Sequence, residues 1–138
     1  MKLQAMATAL ILVAAPAAQA QTNFNVSASG TINYILNGSP DPTLNLTRGQ
    51  TYTFQVNAVG HPFWIKTEQV TGTGSAYSSG VTNNGTQSGT LTFTVPTNAP
   101  DRLFYICELH LAMTGVINIS NPVPTVPVTW GSLKTRYR

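Results

Sequence analysis

The 138-residue chain has one cysteine, two histidines, four acidic residues and, beyond its first twenty positions, no long apolar run. A single cysteine excludes an internal disulfide, so this is not a disulfide-stapled scaffold. No stretch after the first twenty residues is long and apolar enough to span a bilayer as a helix. The formal net charge is +3, but Lys134, Arg136 and Arg138 crowd the last five positions. Without them the body is close to neutral, and no stretch interleaves aromatic and basic residues. That pattern argues against a nucleic-acid partner.

The first twenty residues have the form of an address. Lys2 supplies a thin positive start, an apolar stretch runs through Met6, Leu10, Ile11, Leu12 and Val13, and Ala18-Gln19-Ala20 closes it. An A-x-A pattern of this kind predicts cleavage before Gln21 and an exported protein, periplasmic or extracellular. The expected organisation is a signal peptide over 1–20, one domain over 21–120 and a Pro-rich, basic tail over 121–138. A free thiol in an exported protein is open to oxidation. It needs a reason, such as burial, intermolecular pairing or a metal.

Strand signals dominate what is there. Thr, Val, Ile, Tyr and Phe are abundant, and Glu and Lys are scarce. TYTFQV (51–56) and TLTFTV (90–95) alternate strictly, which predicts half-buried strands with threonines outward. Further strands are expected at 24–28, 31–36, 42–47, 62–67, 102–107 and 115–120. Asn37-Gly38 with Pro40 and Pro42, Arg48-Gly49, and Pro96 with Pro100 supply the turns. Short strands at this spacing predict an all-β sandwich or barrel. Residues 68–89, rich in Gly, Thr, Ser and Asn, read as a surface excursion held by Val70, Tyr77 and Val81. The tail ends WGSLKTRYR and reads as a disordered end, with a short docking or sorting segment as the alternative. N-x-S/T sequons at Asn25, Asn37, Asn45, Asn84 and Asn118 are weak signals in a chain this rich in Asn, Ser and Thr.

The scarce residues converge in sequence. In FYICELHLAMTGVINI, Cys107, His110 and Met113 fall at three-residue steps, and His61 stands upstream in GHPFWI. Strand alternation over 102–107 turns Tyr105 and Cys107 to one side and Phe104 and Ile106 to the other. A tight loop between two strands can aim the thiolate at its start, the imidazole in its middle and the thioether at its end at one point. Two imidazoles, a thiolate and a weak thioether form the ligand set of a mononuclear blue-copper site. Thiolate and imidazoles also hold zinc, but methionine is a poor fourth zinc ligand, which favours copper. Taken singly, Cys107 and Met113 read as core residues and His61 as a hydrogen-bonded strand-end histidine. Their joint spacing carries the metal reading.

These segments resemble the cupredoxins, small type 1 blue-copper proteins. GQTYTFQV, GHPFWI, TLTFTV, the Pro-containing turn and FYIC…H…M-x-G occur in the family's order, and the ligand loop is amicyanin/plastocyanin-like. The resemblance implies a Greek-key β-sandwich, with His61, Cys107, His110 and Met113 as ligands and Nδ1 of each imidazole toward the metal. Two departures stand out. Many members carry asparagine after the first ligand histidine, and its backbone N–H reaches the cysteine sulfur. Pro62 stands there in this chain and has no N–H. Fewer hydrogen bonds to sulfur favour Cu(II), so Pro62 is expected to lower the reduction potential. Ile106 replaces the tyrosine that precedes the ligand cysteine in plastocyanin. With only four acidic residues, this chain does not suggest plastocyanin's acidic docking mode.

The resulting expectation is a monomeric one-electron carrier with one type 1 Cu(I)/Cu(II) ion and no enzymatic activity, since no histidine remains for a catalytic copper. A redox protein partner is expected to dock near His110, on a collar of Leu109, Leu111, Ala112, Pro62 and Phe63. Glu108 is expected to be solvated or paired with a base. The alternatives are a copper-binding or delivery module without electron transfer, and a metal-free adhesion or assembly sandwich.

Overall fold

Alternating sequences that bury every second side chain pair edge to edge and then stack face to face. The computed structural model describes residues 21–124, so the proposed signal peptide and most of the tail lie outside the described residues. Ten strands follow in order: β1 (Asn23–Ser29), β2 (Asn33–Leu36), β3 (Ser39–Pro40), β4 (Leu44–Thr47), β5 (Thr51–Asn57), β6 (Phe63–Lys66), β7 (Val81–Thr82), β8 (Ser88–Thr94), β9 (Arg102–Cys107) and β10 (Thr114–Ser120). No helix occurs among the described residues. One sheet runs β3-β2-β1-β5-β8-β7 and the other β4-β10-β9-β6. Both are mixed, because β1 pairs parallel with β5 and β10 parallel with β4.

The expected alternation holds. In β5, Tyr52, Phe54 and Val56 are buried while Thr51, Gln55 and Asn57 are exposed. They stack with Leu91 and Phe93 of β8 and with Ile65, Leu103, Tyr105, Ile117 and Ile119 of the facing sheet. Each such side chain contributes roughly 1.5–3 kcal/mol on burial. Tyr34, on β2, packs edge-on to Phe63, with ring centroids 5.0 Å apart.

Two strands were not foreseen. The two-residue β3 and β7 are too short to show a period, and Pro40, expected only as a breaker, sits in β3 at the sheet edge. An edge tolerates proline because no outward ladder bond is required of it.

The 68–89 excursion is more structured than a loop held by three apolar residues. Tyr77 does pack edge-on to Phe93, but Val70 is 40 % exposed and anchors through its carbonyl instead. The fully buried Lys66 donates through Nζ to the carbonyls of Val70 and Gly72, so the polar backbone of the loop satisfies a buried amine. Burial pushes this amine below its ordinary pKa, while the charges of Glu108 and Cys107 act the other way. Asn84 is a second pin. Its Oδ1 accepts from Ile65 N at 2.8 Å, and its Nδ2 donates to the carbonyls of Ile65 and Tyr77 at 3.1 Å. That amide is committed to the fold, which rules out the Asn84 sequon as a glycan site in the folded chain.

Candidate metal centre

Two segments meet at one end of the sandwich. The upstream one is the turn Ala58–His61, which links β5 to β6. His61 N donates to Ala58 O at 2.9 Å, closing a four-residue turn, and Gly60 takes φ +86° at its third position. That conformation suits glycine and strains other residues. The Tyr34 hydroxyl then donates to His61 O at 2.9 Å and Pro62 O at 3.1 Å.

The downstream segment is the loop from Cys107, the last residue of β9, to Met113, just before β10. Cys107 N donates to Met113 O at 2.9 Å and Met113 N to His110 O at 3.2 Å, so its own backbone ties the loop shut. Glu108 N donates to Pro62 O at 3.1 Å and joins the two segments. Cys107 also lies directly across the ladder from Phe63, beside His61 and Pro62.

The donor atoms converge. His61 Nδ1 lies 3.2 Å from His110 Nδ1, and Cys107 Sγ lies 3.5 Å from His110 Nδ1 and 3.9 Å from His61 Nδ1. The three fall within 4.8 Å of one another, a grouping able to hold a metal ion. Bonds of about 2.0 Å to nitrogen and 2.3 Å to sulfur, spread around one ion, give donor separations of about 3.5 Å. The observed set therefore fits a single ion, with Nδ1 of each ring inward. Cys107 and Met113 are fully buried, and both histidines are half-buried. Met113 is brought beside Cys107 by the backbone bond between them. Two imidazoles and a buried thiol match type 1 copper in donor chemistry.

Among the described residues, Cys107 Sγ has no backbone N–H within hydrogen-bonding reach, and its polar neighbours are the two imidazoles and the Tyr34 hydroxyl. Burial first, and then the nearby Cys107 charge, push the Tyr34 phenol well above its ordinary value, so it remains a protonated donor. Glu108 is half-exposed and accepts from Trp64 Nε1 at 3.0 Å, and among the described residues it pairs with no base. The expected collar also changes: Leu109 and Leu111 are 59 % exposed and Ala112 is exposed, but Pro62 and Phe63 are buried. Val59, which the sequence did not single out, is 77 % exposed on the same turn as His61. Tyr34 was missed as well. Alternation marks it as core, but no local signal shows where its hydroxyl ends.

No protein-family model matches the chain, and no curated protein sequence does. Solved structures do. The copper protein rusticyanin superposes with a TM-score of 0.52 at 18% identity, covering 71% of this chain and 76% of its own. A methionine-to-glutamine variant of rusticyanin gives 0.52 at 17% over the same shares, and rusticyanin from Thiobacillus ferrooxidans gives 0.51 at 19%. The chain has the cupredoxin fold. In this cupredoxin fold the His-Cys-His cluster lies where the end of β9 meets the turn before β6, and it fits one type 1 copper ion.

Proposed function

We propose that this chain is an exported, monomeric type 1 copper protein that carries single electrons, with His61, Cys107, His110 and Met113 as its metal ligands. Residues 21–120 form the carrier domain in this reading, and residues 1–20 are its export signal. The observation that carries the reading is the convergence of one buried thiol and two Nδ1 atoms within 4.8 Å. Copper, when bound, supplies a one-electron Cu(I)/Cu(II) couple. The chain's own residues supply the rest. Cys107 and Met113 keep their sulfurs out of water, and the two backbone-tied segments hold the imidazoles in one arrangement for both oxidation states. His110 is half-buried in the downstream loop and flanked by exposed Leu109 and Leu111. With Val59 on the His61 turn, they offer a partner redox protein an apolar surface.

Voltammetry of the copper-loaded protein tests this. A fast, reversible one-electron couple that survives repeated cycling is expected. Loss of copper on reduction would instead assign the chain to metal delivery.

A further inference from the structure

The upstream ligand segment is held by its own turn, by Gln87, which accepts from Ala58 N and Gly60 N, and by Glu108 N on the Pro62 carbonyl. His61 N is spent inside its turn, and Pro62 has no N–H to give. Among the described residues, the partner of the His61 carbonyl is the Tyr34 hydroxyl, which also reaches the Pro62 carbonyl. Tyr34 comes from the opposite sheet and is fully buried, so its phenol crosses the core to reach the site. Its own position is fixed on three sides. Its ring meets Phe63 edge-on at 5.0 Å and Tyr105 at 6.4 Å. Its N–H donates to Asp41 Oδ1 at 2.9 Å, and its carbonyl accepts from Asp41 N at 2.9 Å. Asp41 holds φ +40° to make both bonds. Asp adopts this region more readily than most residues, and its two bonds close the turn onto Tyr34.

We propose that Tyr34 is the positioning residue of the metal centre: its phenol fixes the His61–Pro62 backbone from across the core. This rests on the copper reading above, and it assigns to a distant strand the rigidity of one ligand arm. The phenol oxygen is not among the grouped donor atoms of the site. It acts through His61 by fixing where Nδ1 points.

Copper-loaded wild type, Tyr34→Phe and Tyr105→Phe test the assignment. Tyr105 is a matched control, because its equally buried hydroxyl donates to Pro42 O at 2.7 Å, away from the His61 segment. Supporting partners of a metal ligand typically matter by about 10–100-fold in affinity. Tyr34→Phe is therefore expected to lose about tenfold or more in copper affinity by chelator competition. It should also change the copper hyperfine splitting in the electron paramagnetic resonance spectrum and shift the potential. Tyr105→Phe should lower the melting temperature of the metal-free protein and leave all three readouts near wild type. Wild-type affinity and spectrum in Tyr34→Phe, or equal changes in both variants, would overturn the assignment. If Tyr34→Phe does not fold, 3-fluorotyrosine installed at position 34 keeps the oxygen and strengthens its donation. An unchanged spectrum there would overturn the assignment too. A wild-type protein that binds copper without a charge-transfer band defeats the type 1 reading alone, since the affinity comparison still reports on Tyr34. A wild type that binds no copper defeats both.

Discussion

The two segments that bring ligands together are held in opposite ways. From Cys107 to Met113 the loop is closed by its own backbone, through Cys107 N to Met113 O and Met113 N to His110 O. His61 sits on a glycine turn braced by Gln87, and a phenol from the facing sheet bonds its carbonyl. The first segment is local, with three of the proposed ligands within seven residues. The second depends on a partner 27 residues away in sequence. The difference teaches that one site can be half locally encoded and half assembled by the tertiary fold. It also means that the two halves should fail differently when perturbed.

The largest effect is expected on the downstream side. Gly115 of β10 lies against the Tyr105 ring, and a Cβ there would overlap it. Gly115→Ala should cost about 3 kcal/mol or more, since overpacked cores repel a single added methyl strongly. Urea unfolding of the metal-free protein checks this, and a midpoint at the wild-type value would show that the strand pair is looser than described. On the upstream side, a Cβ at Gly60 would meet open space, but the residue has φ +86°. Gly60→Val therefore isolates backbone strain, at about 2 kcal/mol. Copper affinity should fall with it because His61 closes that turn. Unchanged affinity would mean that the turn does not position the ligand.

Each side also has one buried phenol, Tyr34 above the His61 segment and Tyr105 beneath Gly115. Burial raises both above the ordinary tyrosine value; the charge of Cys107 adds to the shift at Tyr34, and that of Asp41 adds to it at Tyr105. A raised folded-state pKa gives stability that is whole below the unfolded value, near 10, and is lost as pH rises beyond it. Each phenol should contribute a slope of about 1 kcal/mol per pH unit above pH ~10. Melting curves of the metal-free protein should show that slope roughly halved in Tyr34→Phe and again in Tyr105→Phe. A slope unchanged by either substitution would show that other groups govern alkaline unfolding.

The smallest expected effect lies at the junction of the two segments. Pro62→Asn restores a backbone N–H beside Cys107, and donation to the sulfur would disfavour Cu(II). The reduction potential should rise, with little change in fold stability. A potential equal to or below wild type would show that the restored amide does not reach the sulfur.

How much of this was legible in the sequence follows the same division. The alternation of TYTFQV, TLTFTV and RLFYIC marked the principal strands and the inward side of Cys107, because period-2 burial is a local property. The ligand loop was legible for the same reason. Lys66, Asn84 and Tyr34 were not, because each acts through polar contacts that strand alternation does not encode. The same holds for Glu108, whose indole partner Trp64 is 44 residues away. The collar was half legible: hydropathy marked apolar residues near His61 and His110 but did not separate buried Phe63 from exposed Leu111.

The most direct test is the visible spectrum of residues 21–138 after addition of one equivalent of Cu(II). An intense thiolate-to-copper charge-transfer band in the red is expected, present in wild type and absent in Cys107→Ala. A wild-type spectrum without that band, or a band that survives in Cys107→Ala, would contradict the copper reading.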